Sequence, residues 1–156
     1  MPSKQGSNGR KKAARRLGKI HGRIAALRSV LLHEISGDLA RGYTTVTIED
    51  LNVAGMLRNR ALARYVSDAA FGKLRTQLEY KAKWYGAELV VADRWFPSSK
   101  TCSGCGHVKD DLPLDERTYH CEKCELVLDR DVNAAINLAR WAALPKTVSM
   151  PLVAAA

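Results

Sequence analysis

An α/β fold interrupted by a four-cysteine module is what this sequence predicts, on three observations. Helical spacing alternates with short β-branched segments over the first 93 residues; four cysteines in two C-x-x-C pairs fall between residues 102 and 124; and a small-residue helical pattern resumes after them. The order helix, strand, helix, strand argues for a layered sheet with right-handed crossovers. At 156 residues the chain can hold one core plus a small appended module.

Residues 1–10, MPSKQGSNGR, read as a disordered basic tail. From Lys11 to Ala40 the positions Leu17, Ile20, Ile24, Leu27, Leu31, Ile35 and Leu39 step by three or four, which is one face of a long helix ending near Gly42. TTVTIEDL, 44–51, is β-branched and short, a buried strand. A loop with Gly55 and Asn59 follows. Helical spacing through Leu62, Val66, Leu74, Leu78 and Ala82 predicts one helix over 61–85, stopped by Gly86, and AELVVAD, 87–93, is the second strand. Trp95-Phe96-Pro97 breaks the regularity. A last helix runs from Asp131 to Ala143, with Ala134, Ala135 and Ala139 small enough for close packing, and 144–156, with Pro145 and Pro151, is a flexible tail.

The net charge is +9, and it is localised. Nine of the 25 basic residues precede the first acid, Glu34; the other 16 are balanced by 16 acids. The excess sits in one segment, an electrostatic footprint for a polyanion set against a plain solvated face. Lys11, Lys12, Arg15, Arg16, Lys19 and Arg23 are the candidate nucleic-acid contacts. Trp84, Tyr85, Trp95 and Phe96 could stack on bases, with core or hinge packing as the alternative. No apolar run approaches the roughly 20 residues of a membrane span, and no apolar segment follows the basic start as in a signal peptide. The chain therefore reads as intracellular, with the cytoplasm as its expected location.

The cysteines read Cys102-x2-Cys105-x15-Cys121-x2-Cys124. Two such knuckles can close a tetrahedron of thiolates around Zn²⁺; iron or a redox dithiol are the alternatives. Gly104 and Gly106 supply freedom to the first knuckle. Four protein ligands leave no open position, so a zinc there is structural. His107 is then not a ligand, and Ser98, Ser99 and Lys100 have turn formation as their default role.

Two carboxylates stand where chemistry would want them. Glu49 ends an apolar strand and Asp131 begins a helix, positions that can converge on Mg²⁺, which takes one or two carboxylates plus substrate phosphates. Against this, Asp131 could be a helix cap and Glu49 a strand-end charge.

The runs VTIEDLNVAGMLRN, LEYKAKWYG, RWFPSSKTCSGCG and LDRDVNAAINLA, covering essentially residues 10–140, resemble the C-terminal part of the transposon-encoded OrfB/TnpB proteins, RNA-guided DNA endonucleases similar to the compact type V CRISPR effectors. The resemblance implies a partial RNase H-like (RuvC) nuclease core over 11–97, lacking its first three strands, an inserted zinc ribbon over 98–128, and the core's last helix over 129–143. It implies that Glu49 in IEDL and Asp131 in DRDVNAA are catalytic acids binding Mg²⁺, with DNA and a guide RNA as partners. Asp131 is preferred to Asp129 because the family pattern is Asp-x-Asn.

In one respect the chain departs from that pattern. The family's first catalytic Asp lies on a strand ahead of the long helix, and here that helix starts within about ten residues of Met1. Glu34 and Asp38 lie on it, and Asp93 is supported by nothing in the pattern. The expectation is a truncated or internally initiated portion, inactive alone, open to a complementing polypeptide or to self-association through an exposed sheet edge. A non-catalytic zinc-ribbon nucleic-acid-binding or regulatory protein is the alternative, and an unselected remnant the third reading.

Overall fold

A computed structural model describes residues 6–113 and 115–144. The expected tail 144–156 lies, past Leu144, outside them, as do the first five residues of the expected basic tail.

Helix α1 runs Asn8–Gly42, starting three residues earlier than its apolar spacing suggests, because Ser7 caps it by accepting the Arg10 amide. Strand β1, Thr45–Glu49, follows directly. The segment after it is not a plain loop: α2, Val53–Arg58, forms there, with the Asn52 side chain capping through the Gly55 amide. The helix expected over 61–85 is two, α3 Ala63–Ala69 and α4 Phe71–Tyr85, separated by Ala70 at φ 53°. A left-handed alanine costs on the order of 1 kcal/mol, so the break is held by packing rather than by local preference. Gly86, at φ 76°, ends α4, and β2, Glu88–Ala92, returns alongside β1.

The two strands pair in parallel, Thr45 with Glu88 through Glu49 with Ala92. That register sets Glu49 at the carboxyl end of β1, level with the turn leaving β2. The ribbon follows, with β3 Thr118–His120 antiparallel to β4 Val127–Asp129, and α5, Arg130–Ala143, packs back onto β1.

The contact face of α1 is a surprise of chemistry. Its buried residues are Leu32, Ser36, Gly37 and Ala40, confined to the second half, while Leu17, Ile20, Ile24, Leu27, Leu31 and Ile35 stay exposed. The seam with α4 is polar: Ser36 Oγ donates to the Leu32 carbonyl, and buried Lys81 donates through Nζ to the His33 carbonyl at 2.5 Å and to Ser36 Oγ at 2.8 Å. Buried polar groups must be satisfied, and these are.

Candidate metal centre and adjoining carboxylates

The two knuckles are built alike. The Cys102 amide donates to the His107 carbonyl at 2.7 Å and the Cys121 amide to the Leu126 carbonyl at 2.9 Å; Gly106 and Glu125 donate back to the Cys102 and Cys121 carbonyls. Each turn passes through a left-handed residue directly after its second cysteine, Gly106 at φ 78° and Glu125 at φ 60°. Gly104 serves differently from the freedom expected of it: a Cβ there would lie 3.2 Å from Leu126 Cδ2 and 3.5 Å from Cys124 Sγ, so its value is close approach.

Among the described residues, Cys102, Cys105, Cys121 and Cys124 form one tight group of potential ligands, their sulfurs all within 4.8 Å of one another. Cys102 and Cys124 sulfurs lie 3.6 Å apart, as do those of Cys105 and Cys121. A tetrahedral Zn²⁺ at about 2.3 Å from each sulfur would separate them by about 3.8 Å, so the set fits zinc. His107 contributes its backbone carbonyl, not its ring.

Burial pushes the Cys121 thiol up, but amide donation from Cys124 and Lys123 and the neighbouring thiols outweigh it and bring it down to about 6. For Cys124, donation from the Leu126 amide lowers the thiol, and the crowding of Cys105, Cys102 and Cys121 overrides it, raising it to about 12. The first thiolate thus forms readily and the last is resisted, a repulsion that a divalent cation removes. Tyr119, fully buried between Cys102 and Cys121 with Leu112 and Leu126 around it, forms the ribbon's core. Its hydroxyl donates to the Lys100 carbonyl, and burial first, then thiol charge, pushes it up to about 12.

The ribbon is fastened to α5 by side chains that the sequence reading passed over. Asn133 is fully buried: its Oδ1 accepts the Ser103 amide at 2.9 Å and its Nδ2 donates to the Thr101 carbonyl at 2.7 Å. Asn137, one turn on, donates to the Ser98 and Thr101 carbonyls at 2.8 and 2.7 Å, and Arg140 donates to the Ser103 carbonyl. The visible signal was two asparagines four apart, which share one helical face. Ser98 is no mere turn residue; its Oγ donates to Glu49 Oε1 at 2.5 Å.

Asp131 lies in the first turn of α5 and is exposed, 3.8 Å from Arg130 Nε. The capping role belongs to Asp129, whose Oδ1 accepts the amides of Asp131 and Val132 at 2.8 and 3.1 Å. Among the described residues no hydrogen bond or ion pair joins Asp131 to Glu49. The small residues Ala135, Ala139 and Ala142 face β1, where they line a cavity of about 230 Å³ with Thr45, Thr47 and Leu138. Beside Glu49, Asp50 is clamped by Arg75 at 2.8 Å and Arg94 at 2.6 Å. Those guanidiniums, Arg75 first, hold its carboxyl below the usual range. With Asp93 and Trp95 they line an open polar concavity of about 510 Å³. Asp93 itself accepts the Trp95 amide, a turn role.

Lys11, Lys12, Arg15, Arg16, Lys19 and Arg23 are all exposed on the first half of α1. Of the aromatics, Phe96 packs on Trp141 at 4.6 Å, and Trp84 leans on Tyr80 at 4.6 Å. Tyr85 lies beneath Arg41. Trp95 is 78% exposed. No described helix is long and apolar enough to cross a membrane.

Comparison with known proteins places this architecture. Residues 2–60 match the OrfB_IS605 family, described as a probable transposase, and residues 71–138 match the Cas12f1-like TNB domain. A Streptomyces pristinaespiralis protein named as a candidate RNA-guided DNA endonuclease is 54% identical over 134 residues, 86% of this chain and 33% of the relative. A Mycobacterium tuberculosis protein of the same description is 46% identical over 138 residues, 85% of this chain and 30% of the relative. The chain thus spans about a third of the length of these relatives. A cryo-EM structure of a Cas12f1–sgRNA–target DNA complex superposes with a TM-score of 0.62 at 23% identity, over 84% of this chain and 40% of that one. A Cas12f ternary complex gives 0.63 at 22% identity, over 86% and 28%. At such identities the likeness is one of fold.

Proposed function

The chain belongs to the transposon-encoded OrfB/TnpB family, and from that premise we propose that its 156 residues supply part of a Mg²⁺-dependent, RNA-guided DNA endonuclease of RuvC type. The observation that carries the reading is the connection between its two candidate acids. Glu49 ends β1 and is held by Ser98; Ser98 is held by Asn137; and Asn137 stands on the helix whose first turn bears Asp131. The ribbon, on this reading, is the structural clamp that joins a strand-end carboxylate to a helix-start carboxylate.

Glu49 and Asp131 would hold Mg²⁺, which when bound stabilises the attacking and leaving oxygens of a phosphodiester in hydrolysis. What this chain's own residues do is orient: Ser98 fixes one oxygen of Glu49, and Asp129 sets the start of α5 and with it Asp131. The first acid in the sequence, Glu34, lies on α1 and not on a strand, and this chain spans about a third of the length of its relatives. Among the described residues β1 has one hydrogen-bonded neighbour, β2, and its other edge is open to a complementing strand or to a second copy. The exposed Leu and Ile of α1 favour the same association.

The test is cleavage of plasmid and single-stranded DNA with Mg²⁺. The chain alone should not cut; with a polypeptide supplying an aspartate-bearing strand and a guide RNA it should, and Glu49→Ala or Asp131→Ala should abolish that cutting. Robust cutting by the chain alone that both substitutions abolish would overturn its inactivity in isolation. A second reading, a non-catalytic nucleic-acid-binding protein located with the nucleoid in the prokaryotic cytoplasm, is favoured by one observation: all six candidate basic side chains of α1 are exposed.

A further inference from the structure

We infer that Ser98 is a positioning residue through which the folded, metal-loaded ribbon fixes the orientation of the Glu49 carboxylate. The consequence for catalysis rests on the reading of Glu49 as a Mg²⁺ ligand; the contact itself does not.

Ser98 is only 4% exposed. Its amide donates to the Phe96 carbonyl at 2.8 Å and its carbonyl accepts Asn137 Nδ2 at 2.8 Å, so its backbone is held on both sides. What remains free to place Oγ is the side-chain torsion χ1, which has three staggered positions. Oγ is aimed at Glu49 Oε1, 2.5 Å away and 49 residues distant in sequence.

Two threonine hydroxyls of the chain behave differently. Thr101 Oγ1 donates to the carbonyl of Pro97 and Thr76 Oγ1 to that of Gly72, each four residues back, which are local backbone bonds. Ser98 instead reaches a carboxylate that stands in solvent and that water could satisfy. The bond is therefore not needed to relieve a buried acceptor. What it does is select one orientation of a flexible side chain, engaging one oxygen and leaving Oε2 without a hydrogen bond among the described residues.

The ribbon governs that orientation. Asn133, Asn137 and Arg140 hold the carbonyls of Ser98, Thr101 and Ser103 along α5, and Cys102 lies between the last two. Without a cation nothing ties the four sulfurs of the two knuckles together, the first knuckle loosens, and the carbonyls that set Ser98 lose their register. Metal in the ribbon thereby reaches a carboxylate outside it.

The experiment is carbon NMR of the full zinc-loaded chain labelled at glutamate carboxyl carbons, with the Glu49 resonance identified by its loss in Glu49→Gln. In Ser98→Ala that resonance should move while the Ser103 and Gly104 amide signals stay; Ser98→Thr, which keeps the hydroxyl, should restore it. Stripping zinc from the wild type should move the resonance to the Ser98→Ala position. An unmoved resonance in Ser98→Ala, or one unmoved by zinc removal, overturns the inference. So does loss of the ribbon amides in Ser98→Ala, which would mark a merely structural serine. No nucleic acid or Mg²⁺ enters the experiment, so failure of the endonuclease reading would leave its outcome unchanged.

Discussion

Asn133 and Ser103 are joined where the ribbon meets α5: the fully buried side-chain oxygen of Asn133 accepts the Ser103 amide at 2.9 Å. The same side chain donates to Thr101, so a single residue satisfies one donor and one acceptor of the first knuckle. Asn133→Ala would leave the Ser103 amide without that partner, while the Thr101 carbonyl still accepts Asn137 Nδ2, at about 1–3 kcal/mol for a buried unsatisfied group. For a chain of this size the melting temperature of the zinc-loaded protein should fall by roughly 2–4 °C per kcal/mol. Asn133→Asp, which keeps the acceptor but buries a carboxylate against the Thr101 carbonyl, should melt at least as low as Asn133→Ala. A melt for Asn133→Ala within experimental error of wild type would show that the seam does not stabilise the chain.

Zinc binding should strengthen as pH rises. Cys121, brought down to about 6, is already thiolate near neutrality, whereas Cys124, raised to about 12, must release its proton to solvent as the metal binds. The sign follows for each. The lowered Cys121 thiol favours the folded knuckle above its ordinary value and loses that advantage as pH falls through about 6; the raised Cys124 favours it below its ordinary value and loses it as pH climbs toward 12. Binding draws off the Cys124 proton throughout the neutral range, so affinity should climb between about pH 6 and pH 8. Competition titration with a chromophoric chelator measures it, and an affinity flat over that range would contradict a four-thiolate site. Removing the metal should collapse the ribbon and leave the helical signal of α1 and α4 in place.

The elements whose outlines were legible were those marked by period and punctuation. The β-branched runs gave both strands, Gly86 gave the end of α4, and the C-x-x-C spacing gave the ribbon, because each is written in local chemistry. The long apolar stripe of α1 misled in a specific way. Leu17, Ile20 and Ile24 keep helical spacing, yet the buried face is Leu32, Ser36, Gly37 and Ala40, since the main described partner, α4, lies against the helix's second half. Nothing in a period announces which face finds a partner. The break at Ala70 was hidden for a related reason: alanine is the best helix former, and only tertiary packing holds it at positive φ. Glu49 and Asp131 could be singled out by type and position. Ser98, Asn133 and Asn137, which connect their elements, could not, because a serine or asparagine acquires meaning from the atom it faces.

The basic half of α1 should bind nucleic acid with a steep dependence on salt. Lys11, Lys12, Arg15, Arg16, Lys19 and Arg23 are exposed, and each that meets a phosphate releases counterions on binding. Single-stranded and duplex DNA should both bind, measured by anisotropy across a salt series. Replacing one contacting residue with alanine should lower the logarithmic salt slope by about 1 and weaken all sequences alike. If replacing all six leaves the slope unchanged, the helix is a solvated face and the polyanion site lies elsewhere.

Asp50 should make stability depend on acid in a definable direction. It sits directly after Glu49 and receives Arg75 at 2.8 Å and Arg94 at 2.6 Å, tying α4 to the turn that leaves β2. Donation from Arg75 first, then Arg94, lowers its carboxyl below its ordinary value of 3.8 in the folded chain. A carboxyl so lowered binds its proton more readily when unfolded, so the clamp contributes fully above that ordinary value and is lost as pH falls toward the folded one. Asp50→Asn should therefore melt below wild type at neutral pH, and the gap between the two should close on acidification below about 3.8. Because both guanidiniums are partly exposed, the gap should also narrow with salt. Thermal melts of both proteins from neutral to acid pH decide it. A gap that stays constant with pH would mean that the asparagine acts through packing and that the charge on Asp50 stabilises nothing.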